Sequence, residues 1–213
     1  MINNIEYTDK NNNVILTGSA ISPPLYSHEI FGEHFYIFEI NVPRTSGIID
    51  VLPIMISDRM YNIEKIKIGN SYKIIGQFRS YNQERPKRHV ALYTFAMEMY
   101  ELEDAAAGEN CLTIEGYICK EPVHRQTPLG REITELLVAV NRAYGKTDYI
   151  PCITWGRNAK FASFFETGLC VKLEGRIQSR KYTKRINANE CEVRTTFELS
   201  ANKLVVCENN TLN

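Results

Sequence analysis

Six cysteines, four histidines and one run of cations are the residues of this chain that could carry chemistry. The cysteines stand at 111, 119, 152, 170, 191 and 207, all in the second half. None has the CxxC spacing of a zinc ribbon or a redox motif. Cys111, Cys119, Cys152 and Cys170 lie in or beside apolar runs, where a reduced thiol packs as a small hydrophobe. Buried free thiols are therefore expected, with no disulfide framework, no metal and no cofactor. His28, His34, His89 and His124 are scattered and suggest no catalytic dyad. No nucleophile, base and orienter can be paired, so an enzyme is not expected. The cations are Arg176, Arg180, Lys181, Lys184 and Arg185, interleaved with Tyr182 and free of acids. Such a run is either a solvated basic hairpin or a track for a polyanion.

The elements that must position these residues belong to a chain with ample apolar material. Its 213 residues are 44% hydrophobic, enough to build packed cores. The longest apolar runs are strand-sized, whereas a membrane span needs ~20 consecutive apolar residues. The first thirteen residues are rich in Asn and charges and do not read as a leader, so a cytoplasmic address and no membrane partner are expected. Formal net charge is zero, from 25 basic and 25 acidic side chains, but the halves differ. Residues 1–108 hold 10 basic and 13 acidic groups, and residues 109–213 hold 15 and 12. Any anionic partner is expected at the second half.

An internal repeat organises the chain. At an offset of 98, Gly18 falls on Gly116, Gly32 on Gly130, Val42 on Val140, Arg44 on Arg142 and Pro53 on Pro151. At 99, Gly69 falls on Gly168, Gly76 on Gly175 and Ser80 on Ser179. Two copies of one module are expected: a first domain over 1–104, a linker over 105–109, a second domain over 110–207 and a short tail over 208–213. In the second copy, residues 111–119, 133–141, 149–155, 169–179 and 193–206 read as strands, punctuated by Gly and Pro. One helical stretch, Asn158 to Glu166, lies between the third and fourth. The corresponding helix of the first copy is expected near Asp58 to Lys65. Five strands with a short helix between strands three and four is the order of the OB-fold, a small Greek-key barrel. The expected class is all-β, two tandem OB-folds.

Specific residues then resemble a known family. Leu112-Thr-Ile-Glu-Gly-Tyr-Ile118, Leu136-Leu-Val-Ala-Val-Asn-Arg142, Asp148-Tyr-Ile-Pro-Cys-Ile-Thr-Trp-Gly156 and Leu173-Glu-Gly-Arg-Ile-Gln-Ser-Arg-Lys-Tyr182 resemble the bacterial single-stranded DNA-binding protein family. The likeness runs over about residues 110–206, and the first copy joins it mainly through its fit to the second. The resemblance implies OB-folds that bind single-stranded DNA by stacking bases on aromatic rings while cations follow the backbone. It also implies four OB-folds per assembly, hence a homodimer of this two-copy chain.

Four aromatic positions that the family uses for stacking map onto Tyr144, Tyr149, Trp155 and Tyr182. Tyr149 and Trp155 are six residues apart, an even number that places both on one face of a strand, with Ile150, Cys152 and Thr154 on the other. Arg142, Arg157, Arg176, Arg180, Lys181, Lys184 and Arg185 complete the expected DNA-binding set. The first copy departs from this pattern, placing Ser46, Val51 and Ser57 where the second has Tyr144, Tyr149 and Trp155. It is expected to have lost much of its stacking face, keeping a secondary contact through Arg44, Arg79, Tyr81, Arg85, Lys87 and Arg88. The C-terminus departs too. Val206 to Asn213 carries one acid, so an acidic tail that recruits replication enzymes is not expected. The expected function is sequence-tolerant single-stranded DNA binding in replication, recombination or repair. The alternative is a primosomal-type OB-fold protein in which protein contacts outweigh DNA contacts.

Overall fold

The computed structural model describes residues 11–83, 89–103, 108–185 and 191–207, with only the backbone described for Asn82, Gln83, His89 and Lys184. The linker residues 105–107 and the tail 208–213 lie outside them. Strands dominate. The first half contributes β1 (Asn12–Ala20), β2 (Leu25–Ile30), β3 (Glu33–Pro43), β4 (Ile49–Ser57), β5 (Ser71–Gln83) and β6 (His89–Leu102). The second repeats the series as β7 (Asn110–Ile118), β8 (Val123–Gln126), β9 (Glu132–Asn141), β10 (Thr147–Trp155), helix α1 (Arg157–Ala162), β11 (Cys170–Arg185) and β12 (Cys191–Val206).

Each half closes a barrel. In the first, β1 pairs with both β3 and β5, and β4 runs parallel to β6 through Ile54↔Thr94 and Met55↔Phe95. In the second, β7 pairs with β9 and β11, and β10 runs parallel to β12 through Cys152↔Leu199 and Ile153↔Ser200. Closed five-strand order with one parallel contact is the OB topology, and the tandem OB-fold is observed. Alternating apolar residues fill both interiors: Leu16, Phe38, Ile54 and Ile74 in one, Ile114, Val138, Ile150 and Leu173 in the other.

Closure explains part of the repeat. The ladders of β5 with β6 and of β11 with β12 shift register between Ile75 and Gly76 and between Glu174 and Gly175. A Cβ on Gly76 would lie 2.0 Å from the Phe95 carbonyl oxygen, and one on Gly175 would lie 2.1 Å from that of Ser200. Only glycine lets the bulged strand approach so closely.

The structure also departs from the expected pattern. The short strands β2 and β8, which the sequence did not announce, are largely or wholly exposed and extend hairpins beyond the barrels. The helix of the second copy spans Arg157–Ala162 rather than 158–166, seating Ala159 and Ala162 on the barrel end with Phe165 buried just beyond. Its counterpart is only a 3-10 turn, Ile63–Lys65, started by the Asn62 side chain, which accepts from the Glu64 N–H at 3.0 Å. That segment lacks small residues to let a helix settle, and Met60, Tyr61 and Ile63 pack against the core instead. Of the four cysteines expected inside, only Cys152 is buried; Cys119 and Cys170 are half-buried and Cys111 is exposed.

The two barrels form one continuous sheet. β1 pairs antiparallel with β7 from Asn12↔Ile114 to Leu16↔Asn110. Asn12 donates to the Phe78 carbonyl and accepts from its N–H, at 2.8 and 2.9 Å. Asn110 does the same to Ile177, at 2.8 Å both ways. A second reciprocal pair crosses between barrels. Asp148 Oδ1 accepts from the N–H and hydroxyl of Ser80 at 2.7 and 3.1 Å. Asp50 Oδ1 accepts from those of Ser179 at 2.8 and 3.1 Å. Asn12 with Asn110, and Asp50 with Asp148, are further identities at the offset of 98.

Candidate nucleic-acid interface

Strand β10 presents its outer face through alternation. Ile150, Cys152 and Thr154 are buried, while Tyr149 and Trp155 are 49% and 38% exposed. Thr154 donates to the Thr134 carbonyl at 3.3 Å, holding its hydroxyl inside. The Trp155 indole N–H donates to Ser200 Oγ at 3.2 Å, anchoring one ring edge and leaving ring area for a partner. The Tyr149 backbone N–H donates to Ser80 Oγ of the first barrel at 3.0 Å, so the interbarrel contact also seats this strand. Tyr144 is 99% exposed, held outward by a left-handed backbone (φ 61°) in the turn Ala143–Gly145. Tyr182, at the cross-strand position opposite Arg194, is also partly exposed.

Beside Trp155 lies an open groove of about 620 Å³ into which Arg44, Arg131, Arg176 and Arg180 converge. Arg44 comes from the first barrel. It donates to both oxygens of buried Asp50, each at 2.6 Å, and Asp50 also receives Ser179 of the second barrel. Burial pushes the Asp50 carboxyl up, but the Arg44 and Ser179 hydrogen bonds outweigh it and hold the carboxyl below its usual value. Burial first, and then repulsion from Arg44, push Arg176 down. Crowded guanidinia beside an exposed indole form a place where an anion gains electrostatic energy. Arg180 is balanced in part by Glu198 at 3.4 Å, and Glu198 also accepts from Gln178 at 2.8 Å.

The other expected site residues divide. Arg142 is turned inward, its Nε 2.9 Å from Oδ2 of buried Asp148. The pair is ionic without hydrogen-bond alignment, and neither atom has a hydrogen-bond partner among the described residues. Burial therefore dominates at Asp148 and pushes its carboxyl up. Arg157 is exposed at the start of α1, outside the groove lining. Lys181 and Arg185 are exposed on the β11 arm, and the Lys184 side chain lies outside the described residues.

In the first barrel, Ser57, at the position of Trp155, is buried and donates to Glu33. Arg79 lies 3.9 Å over the Phe95 ring and bonds Gln77 Oε1 at 2.6 and 2.9 Å. Tyr81 is exposed, with the His28 ring, stacked on Phe35, lying parallel beside it at 6.1 Å between centroids. Arg85, Lys87 and Arg88 lie outside the described residues. Arg44, expected to serve the first copy, instead lines the groove of the second. Sequence reasoning missed Arg131, an isolated cation after Gly130 with no periodic signal around it.

Residues 109–206 match the model of the family described as the single-strand binding protein family. The single-stranded DNA-binding protein A of Bacillus subtilis (strain 168) is 34% identical over 80 residues, covering 34% of this chain and 46% of that protein. Single-stranded DNA-binding protein 2 of Listeria innocua is 32% identical over 80 residues, covering 34% of this chain and 50% of its own. The chain thus spans about half the length of the curated relatives it matches. In structure, the wild-type single-stranded DNA binding protein from Thermus aquaticus is similar with a TM-score of 0.75 and 17% identity, over 95% of each chain, which shows a common tandem fold. The second barrel matches the single-strand binding protein family over residues 109–206, and both barrels share the fold of the Thermus protein.

Proposed function

We propose that this protein binds single-stranded DNA with little sequence preference and serves DNA replication, recombination or repair. One observation carries the reading: Tyr149 and Trp155 share an exposed face beside a groove into which four arginines converge. Every base has a π-face, so exposed rings accept bases without reading them, and cations track the phosphates. Tyr144 and Tyr182 extend the stacking surface, and the β11–β12 arm guides the strand with Lys181, Lys184 and Arg185. Arg44 makes the site a property of both barrels. The working form is a homodimer with four barrels, acting in the cytoplasm.

The test uses the single tryptophan. Titration with a long oligothymidine at low and moderate salt, read by Trp155 emission, is expected to give strong quenching. Affinity should fall with salt as condensed counterions are released. Flat emission, together with no complex in a mobility assay, would sink the reading and leave a role in protein contacts.

A further inference from the structure

Three soft or acidic ligands converge at the end of β11 opposite its basic arm. The sulfurs of Cys170 and Cys207 and a carboxylate oxygen of Glu115 all lie within 4.8 Å of one another. They come from neighbouring strands in fixed register. Val171 pairs with Val206, which sets Cys170 against Cys207, and the Cys207 N–H donates to the Cys170 carbonyl at 3.0 Å. On the other side Cys170 pairs with Tyr117 and Lys172 with Glu115. Val171 and Leu173 point into the core, so Cys170 points outward. Thirty-six residues separate the two cysteines in sequence, and sheet pairing alone makes them neighbours.

We propose that Cys170, Cys207 and Glu115 form a site for a thiophilic divalent cation of the zinc class. Two thiolates and a carboxylate would be its protein ligands, with a fourth position open to water. The chemistry suits the spacing: tetrahedral zinc with sulfur at ~2.3 Å needs its ligand atoms within ~4 Å of each other, a small contraction from what the sheet already provides. Two sulfurs with one carboxylate select zinc or cadmium over magnesium or calcium, which take oxygen alone. A divalent cation reverses the repulsion that opposes a second negative charge, displacing the thiol protons on binding. Lys172 is the competing charge on this face. A bound ion would tie the start of β11 and the end of β12 to β7, the strand that pairs with the first barrel.

The experiment uses the full chain, reduced and stripped with a chelator, and titrated with cadmium as the probe. The expected result is a sulfur-to-cadmium charge-transfer band saturating at one equivalent, with a rise of several degrees in melting temperature. Cys170→Ser and Cys207→Ser should each abolish the band while keeping the wild-type circular dichroism. Glu115→Gln, which keeps both thiols, should weaken binding at least about tenfold, the least that losing even an outer partner of a metal ligand costs. The double variant Cys111→Ser/Cys191→Ser, which removes the two exposed cysteines, should still bind one equivalent. Loss of the band in that double variant, or its survival in Cys170→Ser or Cys207→Ser, would overturn the proposal. Absence of stoichiometric binding by the reduced wild type would do the same.

Discussion

The two barrels share a scaffold and differ in the face they show. Both keep the bulge glycine, the crossing aspartate and serine, and the asparagine that brackets the shared sheet. On the outer face they part. At one structural position the second barrel exposes Trp155 and the first buries Ser57. The one exposed ring that the first barrel keeps at the arm, Tyr81, has its own His28 lying parallel beside it. Closure and docking are fixed by close backbone approach and buried charge, where almost any change costs stability. A solvent-facing ring can be exchanged for a hydroxyl at little cost to the fold, so duplication leaves the face free to diverge.

The largest expected effect tests the shared part. Asp50→Ala removes the partner of Arg44 and of Ser179 and should cost about 3 kcal/mol in denaturant unfolding, since it strands a largely buried guanidinium. Asp148→Ala should cost less, because Arg142 is less well aligned to it; an equal loss would break the comparison.

Next in size is the divergent face. Trp155→Ala should weaken oligothymidine binding by ~1–3 kcal/mol, or roughly 5- to 150-fold, measured by fluorescence anisotropy of labelled DNA. Tyr81→Ala should cost much less, as that ring already has His28 lying parallel beside it. Similar losses at both positions would show that the first barrel stacks bases as the second does.

A smaller effect sharpens the groove. Arg131→Ala should lower the slope of log affinity against log salt by ~0.7, the value for one single-strand phosphate contact. Arg125→Ala, whose guanidinium is held by Glu135 at 2.5 Å, should leave the slope unchanged.

The smallest effect is in pH. Asp50 has a depressed folded pKa, so its contribution is present above the unfolded value near 3.8 and is lost as pH falls through the folded one. Asp148 has a raised folded pKa, so stability from that group is greatest in acid and declines as pH rises from near 3.8 through the folded value. Chemical unfolding of Asp50→Asn and Asp148→Asn against pH should therefore remove trends of opposite sign. The same sign in both would show that their environments are alike.

Much of the fold was legible in local pattern. Strand alternation, glycines at fixed offset and the Tyr149–Trp155 spacing each depend on residues close in sequence or on backbone geometry that only one residue type tolerates. The exposed strands β2 and β8 were not legible, because a hairpin arm outside the core carries no apolar alternation. The helix expected near Asp58 to Lys65 by correspondence with the second copy is only a 3-10 turn, since a matching position in a repeat does not supply the small residues that let a helix settle on the barrel.

By itself the sequence determined two β-barrels and a face of the second whose rings point outward. Only the tertiary structure decided where the charges went. It carried Arg44 across to the groove of the second barrel and turned Arg142 inward to Asp148. It also set Ser179 on Asp50, 129 residues away. A long flexible cation takes its role from whichever buried acid or open groove lies within reach, and docking of the barrels sets that reach. Alternation and glycine act within a few residues of chain, whereas the field at a guanidinium is summed over everything folded around it.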